Sequence, residues 1–469
     1  MVLLKTIKQR EIYAMAIVSQ NQNEKELSNT ISCFFRDFNI GDILHKANAY
    51  KEKGVPVIDI FKYKLCNIFS DRSFYMQLKT NSYNESFAKN TYYRFMNSAK
   101  TNWLRFTTIL ASKVAKVISD TSSKDRVNVF IIDDSLFSRT SCKATELAAK
   151  VFDHCSMTFK LGYRLMALVW SDGSTVVPVN SCLLSSQNSE KILGPDKTID
   201  GRSIAGRRRK LSKTKGTTVM LELIKTALRE GLSANYVLFD TWFSAPAQLI
   251  DVKHLGLDAI AMIKKTSKIR YIYNGERLSI NKIYGICKKR RGRSKYLLSV
   301  EVTVEKEGKR IPAKIVCVRN KNNKKDWIAL ISTNTSLSEE EIIRIYGKRW
   351  QIEVFFKTCK SMLNLVGECH SISYDALTAH VAIVFTRYML IALTNRQNQD
   401  LRTLGEVFYF LVDELADITF SNALSIIMES VFQSIYKNFE FTEEQMTNFI
   451  MDFVLGLPEY MQEALAKAA

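Results

Sequence analysis

The chain has 469 residues, 46% of them hydrophobic, and a formal charge of +20 at neutral pH, which allows a sizeable core and two or three structural units. The charge is uneven: from Asp400 to Ala469 there are 12 acidic and 3 basic residues, a net of −9, which leaves +29 on the first 399. This pattern suits a polyanion-binding body with an acidic tail segment, and the nine scattered cysteines, odd in number and without a CxxC pair, exclude a zinc ribbon or a disulfide framework.

The N-terminus lacks a continuous apolar core and a cleavage site. The run Val381–Leu393 is too short to span a bilayer and contains Arg387. These features predict a soluble, cytoplasmic protein with no membrane partner. Residues 1–120 read as mostly helical, with helical apolar spacing in VIDIFKYKLCNIFS (57–70) and NWLRFTTILASKVAKVI (102–118). The polar stretch Tyr75–Lys100 lies between them. Such helices are compatible with DNA binding and equally with any helical domain.

At Val127 the texture changes to strands. VNVFIIDDSLF is a β-branched and aromatic run ending in two acids. FKLGYRLMALVW (159–170) and TVVPVNSCLL (175–184) predict antiparallel neighbours about the turn Ser171-Asp172-Gly173. Ser185–Gly216, with Arg207-Arg208-Arg209-Lys210, predicts a mobile basic loop. Thr217–Glu230 predicts an amphipathic helix, and Tyr236–Phe239 a buried strand ending at Asp240. Residues 259–335 then hold five strand-like runs divided by turns and basic loops. They include the tight-turn pair Asn274-Gly275 and the connector Lys288–Lys295.

Ser338 and the acids behind it predict a helix start, and IIRIYGKRWQIEVFFKTCK (342–360) reads as one long helix. At about 100° per residue, Arg349, Glu353 and Lys360 fall within about 60° of Tyr346, one narrow stripe over about four turns. A carboxylate there can hold a divalent cation, and the cations and phenol can hold phosphate oxygens. After Lys360 the chain is predicted helical to its end, with stretches such as Phe408–Leu415.

Three carboxylates emerge: Asp133 or Asp134, then Asp240, then Glu353. Strand alternation turns Asp133 and Asp134 to opposite faces, so one of the two is expected as a ligand. Brought together, three such acids repel one another unless a divalent cation joins them. Two Mg²⁺ ions on such a trio can activate a water or a 3′-hydroxyl. His154, His254, His370 and His380 have no ligand spacing among them. Phe355-Phe356 reads as core and Trp242 as packing.

IIDDSLFSR, YVLFDTWFSAP and IYGKRWQIEVFFKTCK resemble the three catalytic motifs of bacterial DDE transposases. More narrowly they resemble the insertion-sequence-four type, with its Tyr-x2-Arg-x3-Glu-x6-Lys signature at Tyr346, Arg349, Glu353 and Lys360. The resemblance runs from about Val127 to Asn395. It implies an α/β, RNase H-like mixed sheet flanked by helices, formed by residues 121–258 and 336–395. A β-rich insertion at 259–335 would interrupt it. A helical N-terminal DNA-binding region (1–120) and a helical C-terminal region (396–469) available for dimerisation would flank it. The resemblance places the first acid on Asp134, with Asp240 and Glu353 as the other catalytic and metal-holding acids. Tyr346, Arg349 and Lys360 would contact phosphates, and Trp327 would stack on a flipped base. It implies Mg²⁺, for which Mn²⁺ may substitute, double-stranded DNA with terminal inverted repeats, a target DNA and a homodimer on DNA. The activity implied is cut-and-paste transposition by strand cleavage, hairpin formation and strand transfer. A metal-dependent nuclease without strand transfer, and a transposase-derived DNA-binding protein, are the competing readings.

Overall fold

The computed structural model describes residues 30–70, 74–80, 83, 87–122, 126–140, 143–153, 156–291, 294–320, 326–397, 443–456 and 462. The chain divides into two units, one of residues 38–399 and one of residues 1–37 with 400–469. In the latter, residues 30–37 and Glu443–Gly456 are helical. The rest of the predicted C-terminal region, Phe408–Leu415 included, lies outside the described residues, as do Cys142, Cys155 and His154.

The larger unit is built on strand β1, Val129–Ser138. Its apolar half, Val129–Ile132, is fully buried, as a strand covered on both faces must be. The strand does not stop at the acids. It runs through Asp133 and Asp134 in continuous antiparallel register with β3, Thr158–Ser171, as far as Ser138 opposite Gly162. The first residues of β3 pair with β2, Ala149–Asp153, and the remainder with β4, Val176–Leu184. On its other edge β1 pairs in parallel with β5, Tyr236–Phe239, which pairs in parallel with β6, Asp258–Met262. Antiparallel strands on one side of β1 and parallel ones on the other form a mixed α/β sheet consistent with an RNase H-like fold.

The sheet continues through residues 271–332. Antiparallel to β6 lies β11, Trp327–Ser332. Beyond it come β10 (Lys309–Arg319), β9 (Leu298–Lys306), β7 (Tyr271–Tyr273) and β8 (Glu276–Leu278). The β-rich run is therefore hydrogen-bonded to the central strands as one eleven-stranded sheet. Asn274 (φ 48°) and Gly275 (φ 84°) close the β7–β8 hairpin in left-handed conformation, as the Asn-Gly pair predicts.

Twelve α-helices are described in this unit. Before β1 come α1 (Ile40–Lys46), α2 (Val57–Cys66), α3 (Phe74–Lys79), α4 (Lys89–Met96) and α5 (Trp103–Asp120). Between β4 and β6 come α6 (Ile204–Ser212), α7 (Gly216–Arg229) and α8 (Pro246–His254). Then follow α9 (Ile280–Ile286), α10 (Glu339–Gly347), α11 (Trp350–Ser361) and α12 (Tyr374–Gln397). Helix α5 buries one face, Trp103, Phe106, Leu110, Val114 and Ile118, against β4 and α12. The stretch 75–100, polar in composition, folds because its aromatics cluster. Tyr63 of α2 meets Phe74, Tyr83, Phe87 and Tyr92 edge-on at ring separations of 5.4–6.1 Å.

Helix α12 is long and apolar enough to cross a membrane by length and composition, but 89% of that stretch is buried inside the protein. Its Arg387 is wholly buried. It donates to the Leu65 carbonyl at 2.9 Å, to the Lys64 carbonyl at 2.6 Å, and to the Glu368 carboxylate with both terminal nitrogens. The Lys64 ammonium also meets Glu368. One carboxylate thus neutralises two buried cations and ties α2 to α12.

The basic run at 207–210 departs from the predicted loop. It forms α6, capped by the Ser203 hydroxyl accepting from Gly206 N–H. Arg209 is buried, its guanidinium on Glu146 at 2.8 and 3.1 Å and on Asp375 at 3.0 and 2.9 Å. Arg208 also meets Asp375. Half of this run therefore anchors α6 to α12, which composition alone could not reveal because the partners lie 60–170 residues away.

Candidate active site

Parallel pairing sets Ile131 of β1 opposite Leu238 of β5. Two residues further along each strand stand Asp133 and Asp240, so the two carboxylates leave neighbouring strands at one level and on one face. Asp133 is mostly buried, its side chain 19% exposed. Burial, and then the charge of Asp240, push its carboxyl up to about 7. Burial also raises Asp240, against the pull of the Trp242 N–H, which donates to its Oδ1 at 2.8 Å, and of Arg349.

The predicted single helix 342–360 is two helices. Ser338 and Glu341 form a reciprocal capping box at the start of α10. Between α10 and α11 the hydrogen bonds shorten to i,i+3: Arg349 N–H to Tyr346 and Ile352 N–H to Arg349, at 2.9 and 3.2 Å. This tightening, next to Gly347, rewinds the stripe expected from a uniform helix. The joint is fixed from the side. Lys348 donates to the Val127 carbonyl at 2.7 Å, and Gln351 bridges the Ser171 hydroxyl (2.7 Å) and the Gly173 carbonyl (2.9 Å). Phe355 and Phe356 seat α11 in the core, as expected.

So placed, Tyr346, Arg349, Glu353 and Lys360 lie along the polar half of β1. The Arg349 guanidinium lies between two acids, 3.2 Å from Asp133 Oδ2 and in contact with Glu353. It also stands 6.0 Å from the centre of the Tyr346 ring. Burial pushes the Tyr346 hydroxyl up to about 12. Lys360 donates to the Ser135 hydroxyl at 2.7 Å, and Ser135 shares a strand face with Asp133. Asp134, on the opposite face, is held by Arg164 of β3, whose Nε lies 2.9 Å away. The resemblance had put the first acid on Asp134. In the fold it is the Asp133 carboxylate that meets Arg349, while the charge of Asp134 also reaches and raises Asp240.

Trp327 opens β11, with its ring stacked on Tyr284 of α9 (centroids 4.1 Å apart, planes 11° apart) and the Lys265 ammonium 4.8 Å from its centre. Trp242, expected to pack, is instead 56% exposed. Nothing local marks this, because a tryptophan in a turn reads the same whether it packs inward or faces water. Arg164 was also missed, since only the β1–β3 register brings it to Asp134.

Residues 72–305 match the family described as DDE superfamily endonuclease. The chain carries a DDE transposase-type domain. The matched span contains Asp133, Asp134 and Asp240 and stops before Glu353. A comparison with curated proteins finds no match.

Enzymes of the DDE superfamily use divalent metals, and Asp133, Asp240 and Glu353 offer hard carboxylate oxygens of the kind such ions prefer. Among the described residues no three His, Cys, Asp or Glu side chains are gathered as a ready metal cage. Glu353 is drawn to Arg349, whose guanidinium supplies the compensating charge that a cation would supply between Glu353 and Asp133. Asp133 and Glu353 are thus hard-oxygen donors of the chemistry a divalent ion prefers, with Arg349 standing between them.

The Asp133 geometry has a measurable consequence. Its folded carboxyl titrates at about 7 against 3.8 for an ordinary aspartate, so the folded state holds the proton more tightly. Below about pH 4 Asp133 costs nothing; stability is lost as pH rises from there to about 7, and the full cost persists above. Asp133→Asn is therefore expected to match the wild-type protein in stability at pH 4 and to exceed it by about 2–4 kcal/mol at pH 8. Urea unfolding at the two pH values without divalent ions measures the difference; equal curves at pH 8 would contradict the site geometry.

Proposed function

We propose that the protein is a DNA transposase that cleaves phosphodiesters at the ends of an inverted-repeat element and joins them to target DNA. The observation that carries this reading is the meeting of Asp133 of β1 and Asp240, just past the end of its parallel neighbour β5, with Arg349 at the start of α11 and Glu353 within it. Asp133, Asp240 and Glu353 would hold the divalent metal, Mg²⁺ with Mn²⁺ as a substitute. Bound there, it would supply Lewis-acid activation of the attacking oxygen and charge neutralisation at the phosphate. The protein's own groups orient the DNA. Arg349, freed from the acids, and Lys360 at the Ser135 edge bind phosphate oxygens, and Tyr346 backs the arginine. Trp327, on its Tyr284 support, serves the strand bent during hairpin formation. Two ends must be cut and joined together, which calls for a homodimer assembled on DNA.

The +29 charge of residues 1–399 supports duplex DNA as the partner. If about 6–10 phosphates are neutralised, affinity should fall roughly 10³–10⁵-fold between 50 and 200 mM salt; a flat salt response would remove DNA as the ligand. The chemistry is tested with an end-labelled duplex carrying the element's terminal repeat. The expected products in Mg²⁺ are a nick, then a hairpin, then a joined target strand. A nick or double-strand cut with no hairpin and no joining would leave a metal-dependent nuclease.

A further inference from the structure

Lys264 and Lys265 follow the end of β6 side by side and serve two different tryptophans. Lys265 lies over Trp327, already stacked on Tyr284. Lys264 stands 4.2 Å from the centre of the Trp242 ring. Trp242 is the more available of the two: it is 56% exposed and two residues from Asp240, whose carboxylate its own N–H bonds at 2.8 Å. Core packing does not account for an indole left this open, since burial would stabilise it. A flat π surface with an ammonium over it matches a nucleotide: the base stacks on the ring and the adjoining phosphate meets the cation. The backbone bond to Asp240 fixes this surface against the acid that faces Asp133.

We propose that Trp242 and Lys264 form a nucleotide-binding platform that holds an unpaired DNA base beside the phosphodiester presented to Asp240. This rests on the reading of the acids as a phosphodiester-cleaving centre and adds to it a residue that separates the strands at the cut. Stacking is indifferent to base identity, so the platform prefers an unpaired base over a paired one without reading sequence.

The test uses the full chain in EDTA with two duplexes, one blunt and one with a short single-stranded extension carrying 2-aminopurine at its first unpaired position. The wild-type protein is expected to favour the extended duplex and to quench the 2-aminopurine. Trp242→Ala should lose about 5- to 150-fold in affinity for the extended duplex, with the blunt duplex unaffected and the quenching gone. Trp242→Phe should keep most of both. Lys264→Ala should lower the salt slope for the extended duplex by about one. Quenching by Trp242→Ala equal to wild type, equal losses on both duplexes, or loss of folded circular dichroism in both Trp242 variants would overturn the proposal. Wild-type cleavage of the same duplexes in Mn²⁺ is scored separately. Absence of cleavage with quenching intact would sink the cleavage reading and leave the platform, whereas cleavage without quenching would sink the platform alone.

Discussion

Asp240→Ala is expected to reduce metal-dependent cleavage of end DNA by at least about a thousandfold, with affinity for the same duplex in EDTA nearly unchanged. Metal-mediated charge stabilisation of a phosphoryl transition state is worth several kcal/mol, and each 1.36 kcal/mol is about tenfold in rate. Arg349 and Lys264 act on Asp240 through their charge, and Arg349 keeps its ion pairs with Asp133 and Glu353 when Asp240 is removed, so the cations proposed to hold DNA stay in place. Glu353→Ala should behave alike, and it also frees Arg349. The adjacent pair on β1 provides the sharper comparison. Asp133→Ala should match Asp240→Ala, because both carboxylates face α11 at one level. Asp134→Ala should act mainly by releasing Arg164, with a smaller loss of rate. Full loss in Asp134→Ala alongside cleavage by Asp133→Ala would move the metal to the other face of the strand, where the sequence resemblance put it. Retained cleavage in Asp240→Ala would end the scheme.

The largest expected effect on stability lies away from the acids of β1. Glu368→Ala should destabilise the fold by about 3–5 kcal/mol, because it strands two buried cations without a counter-charge. Arg387 is wholly buried and Lys64 is 2% exposed, so neither can turn to water. Lys64→Met should cost far less, since Glu368 keeps its two-pronged contact with Arg387. Urea midpoints of the two variants provide the check; a Glu368→Ala protein as stable as Lys64→Met would mean that water or a rearranged side chain replaces the carboxylate.

The legible part of the fold was what local pattern controls. The strands at 129, 158, 176 and 236, the Asn274-Gly275 hairpin and the Ser338 cap each follow from spacing or turn chemistry within a few residues. What stayed hidden depends on partners far along the chain. Arg207–Lys210 reads as a solvated run until Glu146 and Asp375 are placed around it. The site shows the same division. Alternation along β1 establishes that Asp133 and Asp134 face opposite ways, but only pairing with β5 and contact with α11 show which way each faces. The uniform helix expected from 342 to 360 is interrupted at Lys348-Arg349, where tertiary contacts from Lys348 and Gln351 outweigh continuous winding.

The continuous sheet also sets a timetable. Asp133 and Asp240 are in place once β1 and β5 pair, but 113 residues of chain separate Asp240 from Glu353. At roughly 5–20 residues per second, a ribosome needs about 6–23 s to cover that distance. Throughout that interval the nascent chain has the pair from β1 and β5 but not yet Glu353. The acid that would complete the cutting centre arrives late, on a helix held in place by contacts to segments already made.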